Sequence, residues 1–161
     1  MEALRRLYEA LNLVKVKTYV QSGNVVFDSE KHAASILTER IEAQIEQSFG
    51  YSVPVFIRSI NDFHRIITNN PFLKQRNYDP AKLHVTFLYT SPSEMNISSM
   101  KEPIKENDEF SLENKEIFLY CPSGYGRTRV NNNYFERKLN MPATTRNWKT
   151  VKALYKIAKN K

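Results

Sequence analysis

The chain has 161 residues, of which 41% are hydrophobic and 12% aromatic, enough to core one medium domain or two small ones and to exclude a disordered chain. No run approaches the roughly 18–20 apolar residues of a membrane helix, and the mixed-charge opening MEALRRLYEALNL excludes a secretory signal. The net charge of +7 is unevenly spread: residues 1–121 hold 14 Lys+Arg against 16 Asp+Glu, a net of −2, whereas residues 122–161 hold 10 against the single acid Glu136, a net of +9.

Apolar residues at three- and four-residue spacing (Leu4, Leu7, Leu11) predict a helix over 2–12. Val14, Val16, Thr18 and Val20 alternate with Lys15, Lys17 and Tyr19, the period of a half-buried strand. Gln21 to Asn24 is a turn, Gly23 supplying positive φ, and Val25-Val26-Phe27 returns as the second arm of a hairpin. A second helix, from Ser29 or His32, ends at Phe49 before Gly50, with Ile36, Leu37, Ile41, Ile45 and Phe49 as its apolar stripe. Residues 53–58 (VPVFIR) are expected as a strand, with Pro54 suiting an edge. A helix over 59–68, a connecting loop over 71–82, a strand over 83–89 and a short helical piece from Ser91 to about Met100 follow. Strands over 108–112 and 116–120, a helix over 131–139, an extended stretch over 142–145 and a last helix over 147–158 complete the chain.

This order predicts an α+β protein of two ferredoxin-like α-β plait halves. The second is a complete βαββαβ unit, and the first is the same unit lacking its opening strand. The boundaries read as 1–58 for the incomplete plait, 59–82 for a helix and linker, and 83–161 for the second plait with its basic terminal helix.

TYVQSGNVVFDS at 18–29 and TTRNWKTVKALYKIA at 144–158, with PSGYGRTRV and YFERKLNMPATTRNW between them, resemble the domain of unknown function 1697 family along nearly all of the chain. The resemblance implies two ferredoxin-like plaits and brings no established activity. Family members usually open with a strand and a glycine-rich turn before the first helix, whereas Met1-Glu2-Ala3-Leu4-Arg5 matches the start of that helix. A start at an internal methionine, or a truncated sequence, is the expectation that follows, because the opening strand of such a sheet is central and its loss would strip two neighbours of partners.

The chemistry-bearing residues cluster late. In the last helix, Trp148, Val151, Leu154, Tyr155 and Ala158 share a face and read as core, while Lys149, Lys152, Lys156 and Lys159 form a stripe beside it, suited to sequence-independent contact with nucleic-acid phosphates. Lysines near a helix C-terminus also favour the macrodipole without any ligand. Thr144, Thr145, Arg146 and Asn147 lead into that helix; either Thr145 or Asn147 caps it or, with Arg127 and Arg129, the group makes an anion pocket at its free amides. Ser123-Gly124-Tyr125-Gly126-Arg127-Thr128 matches neither phosphate-loop pattern and reads as a turn with positive φ at Gly124 or Gly126. Asn131-Asn132-Asn133 reads as the capped start of a helix.

No catalytic constellation, metal-ligand spacing or cofactor motif stands out among His32, His64, His84 and Cys121. A single cysteine suits a reducing, cytoplasmic setting. The leading reading is a non-catalytic binding module for an anionic ligand or nucleic acid, with no membrane association and no oligomeric state assigned. The alternatives are an enzyme acting on a phosphorylated or carboxylated small molecule, held by Arg127, Arg129 and Arg146, and a ligand-free interaction protein that self-associates through a sheet edge.

Overall fold

The computed structural model describes residues 1–30, 32–74, 77–100 and 107–160. Residues 75 and 76 of the expected connecting loop lie outside the described residues. The fold is α+β, with six α-helices and two antiparallel sheets among the described residues. The chain divides into two compact units, Met1–Phe63 with Ala153–Lys161, and His64–Lys152, so the first boundary falls inside a helix and the last residues join the first unit.

In the first unit, α1 (Glu2–Ala10) buries Leu7 and Tyr8 and carries an exposed ring of ion pairs, Arg5 to Glu2 at 2.7 Å and to Glu9 at 2.8 Å, and Arg6 to Glu2 at 3.2 Å. The hairpin expected from the sequence is present: β1 (Val14–Tyr19) pairs antiparallel with β2 (Asn24–Asp28), closing at Tyr19↔Asn24. Its alternation differs at both ends. The register shifts between Val14 and Lys17, with Lys15 at φ 52°. One extra residue at such a bulge reverses which face the preceding side chain takes, so Val16 packs on the core while Val14 is 55% exposed. Val20 has left the strand, at φ 50°, and is exposed too.

Helix α2 (Ala34–Phe49) buries Leu37, Ile41 and Ile45 at i, i+4 and i+8, whereas Ile36 and Phe49 of the expected stripe are exposed. Phe49 instead stacks on Tyr51, with ring centroids 6.2 Å apart. Gly50 closes the helix in the left-handed region at φ 78°, its N–H bonded to the Glu46 carbonyl at 2.8 Å, a conformation that costs glycine nothing.

Residues 53–58 do not form the expected strand: they run outside both sheets. Val53, Val55 and Ile57 nonetheless pack on the same core as Val16, Val25 and Phe27. The Val55 N–H, which a ladder would have used, donates to the Glu42 carboxylate at 2.8 Å. With the Val55 N–H committed to a side chain, the segment reaches the core through its apolar side chains and not through a ladder.

The second unit shows what the complete order looks like. β3 (Leu83–Leu88), β4 (Glu109–Glu113), β5 (Glu116–Tyr120) and β6 (Ala143–Asn147) form one sheet in the order β4-β5-β3-β6, all neighbours antiparallel. β3 is therefore central. Leu88, Ile117, Leu119 and Ala143 lie on one face, packed with Phe135 and Leu139 of α5 (Asn132–Leu139) and with Met100, which follows α4 (Glu94–Ser98). On the other face Glu116, fully buried, meets Arg65 of α3 (Ile60–Asn69) at 3.2 Å. The stretch read as a connecting loop holds two 3-10 turns, Pro71–Lys74 and Pro80–Lys82. Phe72, Tyr78 and Tyr120 cluster there, the two tyrosine rings edge to face at 4.2 Å.

Candidate functional site

Helix α6 (Trp148–Lys159) begins where Asn147 Oδ1 accepts the Thr150 N–H at 2.8 Å, so Asn147, not Thr145, is its cap. Trp148, Val151 and Leu154 are buried, as their spacing predicts. Lys149, Lys152, Lys156 and Lys159 are all exposed. At 100° per residue they share one stripe, and α6 contains no acid. Lys159 also lies over the Tyr155 ring, 5.6 Å from its centroid. Among the described residues none of the four lysines has an ion-pair partner.

The residues before α6 are divided by the pleat of β6. Register places Thr145 opposite Thr86 and Arg146 opposite Val85, so the two point to opposite faces. Thr145 accepts from Thr86 at 2.8 Å and donates to Asn132 Oδ1 at 3.1 Å, a polar chain across the sheet onto the start of α5. Asn132 also donates to the Ala143 carbonyl at 2.9 Å. Arg146 is half-buried; its guanidinium donates to Thr144 Oγ1 at 2.6 Å and to the Thr145 carbonyl at 3.0 Å, and burial pulls its pKa down.

Arg127 and Arg129 flank Thr128, which is buried and donates to Asp108 at 2.5 Å, and both arginines are exposed. Two of the three guanidiniums therefore stand in solvent and one lies on the sheet. The turn before them uses Gly124, at φ 91°, for its left-handed residue, while Gly126 has no positive φ. Asn131 caps α5 by accepting the Tyr134 N–H at 3.0 Å.

A different group of residues lines a cavity in the first unit. Lys17 and Thr18 of β1, with Lys156, Ile157 and Asn160 at the end of α6, surround an open basin of about 510 Å3. Sequence reasoning had Lys156 but missed the rest. Lys17 looked like the solvated side of an alternating strand, and nothing in residue spacing links it to a helix more than a hundred residues later.

A family model described as a protein of unknown function (DUF1697) matches residues 1–118. This chain belongs to that family. The DUF1697 match includes Lys17 and Thr18 and stops before Arg127, Arg146 and the α6 lysines. Among solved structures, the conserved bacterial protein SP0830 from Streptococcus pneumoniae is similar over 99% of this chain and 88% of its own, with 23% identity and a TM-score of 0.73. That likeness shows the fold, including the C-terminal quarter. No curated protein matches the chain.

Two further titratable groups of this DUF1697 chain, Cys121 and His84, are packed within the second unit. Cys121 is fully buried, its backbone N–H bonded to the Lys82 carbonyl at 3.0 Å, and burial pushes its thiol up to about 11, away from nucleophile chemistry. His84 stacks on Tyr125 with centroids 4.7 Å apart, and burial pulls its pKa down. Among the described residues no three His, Cys, Asp or Glu side chains group as metal ligands, and no helix is long and apolar enough to cross a membrane.

Proposed function

We propose that this chain is a non-catalytic binding module that takes an anionic partner, with nucleic acid as the representative polyanion, on the exposed face of α6. The single observation behind this reading is the stripe of Lys149, Lys152, Lys156 and Lys159. All four are exposed, no acid lies on the same helix, and none is neutralised by an ion pair among the described residues. Elsewhere in the molecule cations are paired where acids are at hand: Arg5 and Arg6 on α1, Lys15 with Asp28 at 3.1 Å, Arg65 with Glu116. Unpaired like charges on one helix repel, and that cost falls when an anion arrives.

The enzyme reading asked Arg127, Arg129 and Arg146 to meet around one ligand, and their separate environments give it less support. The self-association reading asked for an open sheet edge. Strand β4 at one edge carries Glu109 and Glu113, and β1 carries Lys15 and Lys17, charges of the kind that discourage edge pairing.

The test is binding of a labelled, nonspecific oligonucleotide at two salt concentrations. The proposal expects affinity that falls steeply with salt. Absence of binding at 50 mM salt, or binding indifferent to salt, would refute it.

A further inference from the structure

We infer that the outer edge of β2 is a docking site for an extended peptide, one with apolar residues at alternate positions that pairs antiparallel to β2 and covers Val25 and Phe27. Strand β2 is paired with β1 on one side only. Among the described residues the backbone of Val25, Val26 and Phe27 bonds to nothing on the other side. Alternate residues of such a strand turn their N–H and C=O outward, a row of hydrogen bonds that another chain can complete.

The other edges of the two sheets are guarded. The edge strand β1 has a register shift at Lys15 and carries a second lysine, Lys17. Strand β4 carries Glu109 and Glu113. On β6 the backbone is already bonded to side chains: the Ala143 N–H donates to Glu136 Oε1 at 2.9 Å, the Ala143 carbonyl accepts from Asn132 Nδ2 at 2.9 Å, and the Thr145 carbonyl accepts from Arg146 Nη1 at 3.0 Å. Charges, bulges and occupied backbone groups all discourage edge pairing. Asn24 to Phe27 of β2 carry no charge and no proline.

The second unit shows what kind of segment fits. There β5 is the second arm of a hairpin, as β2 is in the first unit, and it lies between β4 and β3. Its Ile117 and Leu119, which face the α5 core, are fully buried. Val25 and Phe27 face the α1–α2 core but are only partly buried, and so are Val53, Val55 and Ile57, which reach that core from outside both sheets. The strand beside β5 is LHVTFL, apolar at Leu83, Val85 and Phe87 and antiparallel to its neighbour. A two-stranded sheet is marginal by itself. Bonds along the free edge and cover over these half-exposed side chains both favour a third strand of that composition.

The test is amide hydrogen exchange, read by nuclear magnetic resonance, with a synthetic peptide of alternating valine and threonine closed by a lysine at each end. A second peptide has proline at its centre, which cannot donate to a ladder. At a concentration of the first peptide about ten times its Kd, the outward amides of β2 are expected to exchange about tenfold more slowly, with β4 and β6 unchanged, and the proline peptide gives no protection. Val26 is not among the side chains of the α1–α2 core, so Val26→Lys is expected to weaken the first peptide about tenfold with its thermal melt unchanged. If that variant unfolds, the protection map of the parent decides. Protection confined to other segments, equal binding of the proline peptide, or no binding of the first peptide at millimolar concentration would overturn the inference. Protection of β2 that rises with protein concentration before any peptide is added would overturn it too, because it assigns the edge to a second copy of the chain.

Discussion

The lysine stripe makes a quantitative demand on binding. Lys149 and Lys159 are ten residues apart on α6, about 15 Å at a rise of ~1.5 Å per residue. One strand of a duplex presents a phosphate every ~3.4 Å of axis, so the stripe spans about four of them, matching its four lysines. If each lysine neutralises one phosphate, the slope of log affinity against log salt is about −2.8 for a single strand and about −3.6 for a duplex. Between 50 and 200 mM salt that is a loss of about 50-fold and about 150-fold respectively. Replacing Lys149, Lys152, Lys156 and Lys159 together with Gln removes that slope, and each single replacement in the single-strand assay lowers it by about 0.7. The measurement is fluorescence anisotropy of a labelled oligonucleotide across a salt series, with thermal melts confirming that the Gln variants are folded. A quadruple variant that keeps the parent slope would show that the contact lies elsewhere, however tightly the parent binds.

Replacing Glu42 with Ala strips the acceptor from the Val55 N–H and is expected to cost about 1–3 kcal/mol in urea unfolding, with Glu42→Gln costing less because an oxygen acceptor survives; equal stability of Glu42→Ala and parent would refute the role assigned to that carboxylate. Asn147→Ala removes the α6 cap and should cost about 1 kcal/mol while leaving oligonucleotide affinity within twofold; a large affinity loss in a stable variant would make Asn147 a ligand contact. Cys121 should resist a thiol reagent in the native protein and react on unfolding. Because burial raises the thiol from its ordinary 9.0 to about 11, the folded state favours the protonated form. That contribution is intact below about pH 9 and is lost as pH rises toward about 11, so chemical denaturation of a Cys121→Ala variant should show a shallower alkaline decline than the parent.

Much of the architecture was legible because period and punctuation agree in most elements. The β1–β2 hairpin, the Gly50 stop, the Asn131 cap and the burial of Trp148 all follow from local rules. The departures are places where a nonlocal condition decides. Val14 breaks its alternation because a bulge at Lys15 inserts one residue. Residues 53–58 have strand composition and no ladder, since composition can bring a segment to the core but only a neighbour can make it a strand. Thr145 and Asn147 were equal as caps in sequence; Thr145 is taken by Thr86 and Asn132 across the sheet, which leaves Asn147. The basin was hidden because it joins Lys17 to Lys156 through tertiary packing.

These departures bear on where function can sit. Arg146 and Thr145 face opposite ways because β6 pairs with β3 through its whole length, so a run of adjacent polar residues on a strand cannot converge on one ligand. A helix has no such restriction, since residues three and four apart return to the same side. Lys149, Lys152 and Lys156 are spaced that way, and Trp148, Val151 and Leu154, each three residues apart, are buried on the neighbouring face. A core position and a displayed charge therefore alternate on α6. Helix α6 holds no acid, in a chain whose first 121 residues carry 16, so its lysines have no acidic neighbour on the same helix, and the salt dependence of oligonucleotide binding decides between a phosphate-binding surface and a solvated one.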